Sequence, residues 1–185
     1  IYNKIFKKEY KKANVIIFLY FIFFLVIGLF AFKDFGISTD EQFHRSGGFY
    51  WLNRLLQTFS ENQLSEKVYN IWNAGFGPDI ESYTEWIFYP VLFDFPMAFI
   101  EVFAGITDSR DYILLRHIVN YFIFLLSAFL FYKILFQRLK DWRLSLIGTS
   151  FLILSPRILS NSFFNSKDIL FLSLFIIAIY FSYNF

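Results

Sequence analysis

One segment constrains the fold of this chain more than any other: residues 13–32 contain no charged side chain. Twenty residues in an α-helix rise ~30 Å, which is the thickness of the hydrocarbon core of a bilayer. A cleavable signal peptide has a shorter apolar core and a small-residue cleavage site, and neither is visible here. The segment therefore predicts a transmembrane helix.

The composition of the whole chain agrees with a membrane location. Of its residues, 57% are hydrophobic and 24% aromatic, with 29 Phe, which is outside the range of soluble domains. Cysteine is absent, so disulfides and thiolate metal sites are excluded. The net charge of +2 indicates no particular partner, and no nucleic-acid partner is expected. Because the chain begins with Ile1 and ends inside an apolar run at Phe185, we expect a fragment of a longer protein.

The charges that flank the apolar segments predict a topology. Five lysines lie within residues 1–12, and the positive-inside rule places them in the cytoplasm. The basic residues at 133–143 belong on the same side by the same rule. The sequence predicts an all-α integral membrane fold with about four transmembrane helices, ordered as follows: cytoplasmic N-terminus 1–12, transmembrane helix 13–32, external loop 33–111, transmembrane helix 112–136, cytoplasmic loop 137–141, transmembrane helix 142–162, external loop 163–168 and truncated transmembrane helix 169–185.

The predicted first external loop, residues 33–111, is too long to be structureless in a compact protein. Its apolar spacing predicts two or three short amphipathic helices at the membrane surface, at about 40–59, 65–73 and 86–103. The last of these is apolar, but Asp94 and Glu101 interrupt it, and a charge at the centre of a spanning helix costs about 2.5–3.5 kcal/mol. We therefore expect this segment to lie on the membrane rather than to cross it.

The stretch "GISTDEQFHRSGG" places two adjacent carboxylates, Asp40 and Glu41, just after the first apolar segment. Its local interpretation is a capping box, in which Ser38 caps a helix, Glu41 reaches back, and Asp40 lies in the first turn. Its functional interpretation is that Asp40, with or without Glu41, is a general base or metal ligand at the water–membrane boundary. Both interpretations can hold together, because a capped helix start is a rigid mount for a base.

A second polar stretch, "NSFFNSKD", precedes the last apolar segment. Locally it forms a turn in which Asp168 caps the next helix and Lys167 extends to lipid headgroups. The predicted topology, however, brings Asp168 to the same face of the membrane as Asp40. The two carboxylates therefore predict one shared site.

Ionisable residues also occur inside the apparent spans, where such residues face the bundle interior or a wet cavity. Arg116 and His117 lie near the outer end of the second span, and Arg157 follows the helix-breaking Pro156. Both arginines can instead extend to headgroups, and a lone His does not predict a metal site. Because Arg and Lys pair with phosphate oxygens, we assign Arg116, Arg157 and Lys167 to the phosphate of a lipid-linked donor. A neighbouring carboxylate can deprotonate an incoming hydroxyl or amine.

These motifs stand in a familiar order: Asp-Glu after the first span, "DSRDYILLRHIVN" opening the second, "DWRLSLIG" opening the third and "LSPRILSNSFFNSKDILFLSLF" before the fourth. Together they resemble the N-terminal part of the GT-C superfamily of membrane glycosyltransferases. The resemblance is to the protein O-mannosyltransferase-like branch (glycosyltransferase family 39) and the aminoarabinose-transferase-like branch. It covers essentially the whole chain, although Gly75–Glu85 contains no matching motif.

The resemblance implies an enzyme of the plasma (inner) membrane that transfers a sugar from a polyprenyl-phosphate donor. Its acceptor, a glycan, lipid or protein, would be reached on the external or periplasmic face. Asp40 matches the catalytic base of that family, and Asp168 matches a second acid that positions the acceptor or a divalent cation, Mg²⁺ or Mn²⁺. Glu41 would assist either function. The alternatives are a transporter, a non-catalytic polytopic membrane protein and another lipid-phosphate-dependent transferase.

Overall fold

The chain is helical wherever its structure is described. The computed structural model describes residues 2–59, 62–74 and 91–184, and these residues contain no β-strand. Their helices, in chain order, are α1 (Tyr2–Ala31), α2 (Thr39–Thr58), α3 (Asn62–Asn73), α4 (Asp94–Ala104), α5 (Ser109–Leu139), α6 (Trp142–Ile153), α7 (Pro156–Phe164) and α8 (Asp168–Asn184).

Two of these helices are long and apolar enough to cross a membrane. They are α1, over its 20 residues Lys12–Ala31, and α5, over its 31 residues. The pair α7 and α8 is bent by 104° and counts as a third candidate span if the two helices are taken together. Helix α6 has 12 residues and is therefore only ~18 Å long, too short to cross alone. The described residues thus provide two or three candidate spans, and the fourth stays a prediction.

The predicted third span, 142–162, coincides with two helices rather than one. Helix α6 ends at Ile153 and α7 begins at Pro156. Proline lacks the N–H that would continue the ladder of α6, and its fixed φ suits the first position of a new helix. The predicted break at Pro156 is therefore confirmed, whereas the segments 13–32 and 112–136 lie within α1 and α5, apart from Phe32.

The long segment after α1 contains the helices that its apolar spacing predicts. Helices α2 and α3 confirm that the segments predicted at 40–59 and 65–73 are helical, and their location at the membrane surface stays a prediction. The prediction at 86–103 is matched by α4 from Asp94 onward, and its first residues, up to 90, lie outside the described part of the chain.

The chain divides into two compact units. The apolar unit comprises Ile1–Asp34, Ile118–Phe163 and Asp168–Phe185, and the loop unit comprises Phe35–His117 and Phe164–Lys167.

Tyr121 organises the packing of the apolar unit. Its hydroxyl donates a hydrogen bond of 2.7 Å to the carbonyl oxygen of Phe24, and its ring stacks on Phe163 with centroids 4.5 Å apart. A Cβ at Gly28 would overlap the Tyr121 ring, so the glycine provides the space for it. The close contact of α1 and α5 therefore depends on one small and one large residue.

Helices α2, α3 and α4 pack together in the loop unit around a common apolar core. Its buried members are Phe49, Leu52, Val68, Ile71, Trp72, Ala98 and Val102. Gly48 of α2 lies against the backbone of α4, where a Cβ would overlap the carbonyl oxygen of Asp94. The start of α4 is thus held directly against α2.

We expect Gly48→Ala to destabilise the loop unit by about 1–3 kcal/mol, the usual cost of overpacking. Alanine normally stabilises a helix interior relative to glycine, but here a backbone carbonyl occupies the position of the new methyl group. The free energy of unfolding of the full chain in mixed micelles measures the effect. Gly36→Ala is the control, since no atom lies within 4 Å of its Cβ. Equal stability of the two variants would contradict the close α2–α4 contact.

Candidate active site

The residues that begin α2 are arranged around an exposed carboxylate. Ser38 occupies the N-cap position with extended backbone angles, φ −77° and ψ 145°. Asp40 lies in the first turn and is exposed to solvent. A carboxylate in the first turn of a helix is favoured by the helix dipole. Asp40 is therefore placed where an external group can reach it.

The predicted capping box does not form. The Ser38 side chain makes no capping hydrogen bond. The Glu41 carboxylate instead faces His117 of α5, with Nε2 lying 3.1 Å from Oε1 and 3.3 Å from Oε2. The interpretation of Glu41 as a capping partner was wrong, because a tertiary partner 76 residues away competes with the local backbone N–H. Glu41 therefore fastens the first turn of α2 to α5.

Below this turn lies a buried ionic cluster of four residues: Arg45, Asp94, Glu101 and Arg116. Arg45 Nε donates to Glu101 Oε2 over 2.8 Å. Arg116 donates from Nε to Glu101 Oε1 and from Nη1 to Asp94 Oδ1, both over 2.7 Å. No member is more than 7% exposed. Two cations and two anions thus neutralise one another away from water.

The order of residues along the helices explains why the cluster forms. Asp94 and Glu101 are seven residues apart in α4, so they lie on the same face, two turns from each other. Arg45 comes from α2 and Arg116 from the first part of α5. Glu101 accepts from both arginines, so it connects three helices of the loop unit. A buried carboxylate that bridges two cations costs much to remove, because each cation then loses a partner.

Aromatic rings surround the Arg45 guanidinium. Its central carbon lies 3.9 Å from the ring centroid of Tyr112, 4.5 Å from that of Phe49 and 5.4 Å from that of Trp72. Its two Nη atoms are buried and have no hydrogen-bond partner among the residues described. The cation–π contacts therefore supply part of the stabilisation that hydrogen bonds would otherwise give.

Burial raises the pKa of the Asp94 carboxyl, while the nearby Arg116 and His44 act in the opposite direction. His44 Nδ1 lies 4.0 Å from Asp94 Oδ2. Burial disfavours the charged form of a carboxyl group. The anionic form of Asp94 therefore depends on the cations packed against it.

This cluster bears directly on the predicted role of Arg116. The guanidinium already makes two short hydrogen bonds to carboxylates. A donor phosphate would have to compete with both for it. The contacts favour a structural role for Arg116, which is to anchor α4 and α2 to α5.

The other predicted site residues lie near the start of α7 and at the start of α8. Arg157 is exposed at the second position of α7. Lys167 and Asp168 are exposed at the start of α8, and both make contacts with other groups. Asp40 and Lys167 belong to the loop unit, whereas Arg157 and Asp168 belong to the apolar unit. The shared site of Asp40 and Asp168 therefore stays a prediction.

The metal site of Asp40 and Asp168 stays a prediction. Within 2–59, 62–74 and 91–184, no three His, Asp or Glu side chains are grouped so that they can hold a metal ion. The predicted pair of ligands, Asp40 and Asp168, is divided between the two units.

Sequence reasoning missed Arg45 altogether and noticed Asp94 and Glu101 only as interruptions of an apolar segment. The available signal was their spacing of seven residues, which aligns two carboxylates on one face of an otherwise apolar helix. Two carboxylates so aligned require buried cations. No signal in the sequence indicates which arginines supply them.

No protein-family model, no curated protein and no solved structure matches the chain. The likeness to the GT-C superfamily therefore depends on the sequence motifs alone.

Proposed function

We propose that this protein is an integral membrane glycosyltransferase that moves a sugar from a polyprenyl-phosphate donor to a hydroxyl or amine acceptor. The observation that carries the proposal is the placement of Asp40. This carboxylate is exposed, stands in the first turn of a helix that follows a candidate span, and is backed by the buried ionic cluster. A general base needs such access together with a rigid mount.

In the proposed reaction, Asp40 accepts the proton of the acceptor hydroxyl or amine. The acceptor oxygen or nitrogen then bonds to the anomeric carbon of the donor sugar. The bond between that carbon and the phosphate oxygen breaks, and the electron pair leaves with the polyprenyl phosphate. The resemblance to the GT-C superfamily adds that such transfer usually proceeds with inversion at the anomeric carbon.

Two cations remain as proposed partners of the leaving phosphate. Arg157 and Lys167 are both exposed, whereas Arg116 is held by carboxylates. A phosphate can reach an exposed cation directly, whereas binding to Arg116 would require it to displace two buried carboxylates. Asp168, next to Lys167, is proposed to position the acceptor.

The rigidity of the α2 start supports this function over a purely structural one. Glu41, Arg45 and Gly48 each tie α2 to a neighbouring helix. Several attachments of this kind are expected where a side chain must be held within about half an ångström.

The direct test is transfer by the purified full-length protein in lipid nanodiscs. The donors are polyprenyl phosphates that carry radiolabelled hexose or pentose, and the acceptors are glycan, lipid and peptide pools. We expect label in a new glycosidic product together with release of polyprenyl phosphate. Movement of intact donor across a proteoliposome membrane without a new glycosidic bond would instead favour the transporter.

We separately expect Asp40 and Asp168 to lie on the same face of the membrane. The sequence contains no cysteine, so a single introduced cysteine can be labelled without background. We expect Ser38→Cys and Ser166→Cys each to react with an impermeant thiol reagent added outside intact cells. Ser38 makes no side-chain capping bond, so its replacement costs little. Lys140→Cys, between α5 and α6, is the control and should react only after permeabilisation. Labelling of Ser166→Cys from the cytoplasmic side alone would end the argument for a shared site.

A further inference from the structure

The apolar unit contains a groove that the proposed reaction does not use. Its volume is about 440 Å³, within the range of ligand pockets in proteins. Helix α1 contributes one wall, from Ala13 to Phe21, and α5 contributes the other, from Phe129 to Phe136. The rings of Phe21 and Phe129 lie 5.2 Å apart and mark one end. Trp142, the first residue of α6, also lines the groove.

The groove opens on a part of α1 that presents apolar side chains outward. Phe18, one of its lining residues, is 64% exposed. This part of α1 lies within a candidate span, and lipid is the expected solvent for such a surface. The wall of α1 covers eight residue steps, or ~12 Å, enough for part of an acyl chain.

Lys133 is the charged group in the lining of this groove. Its ammonium nitrogen lies 5.0 Å from the ring centroid of Phe129 and 5.8 Å from that of Tyr180. Among the side chains that the structure describes, no carboxylate lies within 4 Å of it, and half-burial prevents its full hydration. The groove therefore combines apolar walls with one cation that lacks an anion from the described residues.

Further positive charge surrounds the same end of these helices in the sequence. Lys12 immediately precedes the lining residue Ala13, and Arg143 immediately follows the lining residue Trp142. Lys140 lies in the connection between α5 and α6. Basic pockets between membrane helices on the cytoplasmic side attract anionic headgroups. Tryptophan at such a position suits the headgroup level.

We propose that the groove binds an anionic phospholipid of the leaflet on the basic side of the membrane. One acyl chain lies between α1 and α5, and the phosphate contacts Lys133 near Trp142. The positive charges complement the headgroup, and the aromatic walls complement the chain. The groove flanks the beginning of the α1 span, whereas Asp40 follows its end, so this lipid is not the sugar donor.

Lipid retention by the full-length protein tests the proposal. The protein is reconstituted with equal amounts of phosphatidylglycerol and phosphatidylcholine of identical acyl chains, and retained lipid is counted by native mass spectrometry. We expect preferential retention of phosphatidylglycerol. Lys133→Gln should reduce this preference about fivefold, the size of one contact between a lysine and an anionic surface. Lys33→Gln removes the same charge from the turn that follows α1, beyond the other end of that helix, and should leave the preference nearly unchanged.

A second variant tests the groove independently of its charge. Asn14→Trp places a bulky side chain in the lining and should lower the retention of both lipids while the protein stays folded. Equal retention of the two lipids by the unaltered protein would overturn the proposal, as would equal effects of Lys133→Gln and Lys33→Gln. Selective displacement of phosphatidylglycerol by polyprenyl phosphate would assign the groove to the donor instead. None of these results depends on glycosyl transfer.

Discussion

Glu101→Gln is expected to lower the free energy of unfolding of the full chain by about 3–5 kcal/mol, the usual cost of removing one partner from a buried ion pair. Glutamine keeps the shape of the side chain but removes its charge. The four-residue cluster would then hold two cations, Arg45 and Arg116, against one anion, Asp94. Unfolding in mixed micelles, followed by tryptophan fluorescence, measures the loss, since Trp72 is buried in the same unit.

Two comparisons make this result specific. Glu66→Gln neutralises an exposed carboxylate on α3 and should change stability by no more than a surface charge does, ~0.5 kcal/mol. The double variant Arg45→Met with Glu101→Leu removes one cation and one anion together. It leaves the pair of Arg116 with Asp94 intact and places methionine among aromatic rings, a favourable contact. We therefore expect it to be substantially more stable than Glu101→Gln.

If Glu101→Gln were as stable as Glu66→Gln, the cluster would not hold the loop unit together. If the double variant were less stable than the single one, the attraction within the cluster would exceed its desolvation cost. In most buried ion pairs, the attraction between the charges and the cost of removing them from water nearly cancel. The first outcome would remove the rigid mount on which the proposed role of Asp40 depends, whereas the second would show that the cluster stabilises this mount more than an apolar replacement does.

Asp40→Asn is expected to lower glycosyl transfer by about 10²–10⁴-fold, the contribution of a positioned general base. Asparagine has nearly the same shape and cannot accept the proton of the acceptor. Asp40 is exposed and lies outside the buried cluster, so expression and stability should be unaffected. The measurement is the initial rate of label transfer in nanodiscs, alongside binding of the donor, which should persist.

Asp34→Asn is the matched control, because it removes an exposed carboxylate from the turn that follows α1. Its transfer rate should equal that of the unaltered protein. A normal rate for Asp40→Asn would eliminate this residue as the base. Parallel loss of donor binding and transfer would assign Asp40 to the binding of the donor rather than to proton transfer.

Helix positions in this chain are mostly a local property, which is why sequence reasoning predicted them well. The apolar lengths of 13–32 and 112–136 correspond to α1 and α5, and the break at Pro156 follows from the missing N–H of proline. The predicted capping of α2 failed for the opposite reason. His117 is a stronger partner for Glu41 than the backbone, and only the packing of α5 brings it there.

In the candidate site, too, features set by neighbouring residues could be predicted, whereas contacts between distant segments could not. The position of Asp40 at the start of a helix after an apolar segment is readable from neighbouring residues. The assignment of Arg116 to the donor phosphate depended on which groups it contacts, and the sequence does not specify these contacts. Asp94 and Glu101 reach Arg116 from α4 across 22 and 15 residues of chain. The same arginine could equally have pointed to lipid headgroups had α4 packed elsewhere.

The sequence by itself determined that the chain is helical and which segments are long and apolar enough to enter a membrane. These properties follow from contiguous residues, because the cost of burying charges or unpaired backbone depends on local composition. Only the tertiary structure decided that Arg45, Asp94, Glu101 and Arg116 neutralise one another beneath the start of α2. Such pairing depends on which helix faces meet, and Arg45 and Glu101 are 56 residues apart, a distance over which helical periodicity specifies nothing.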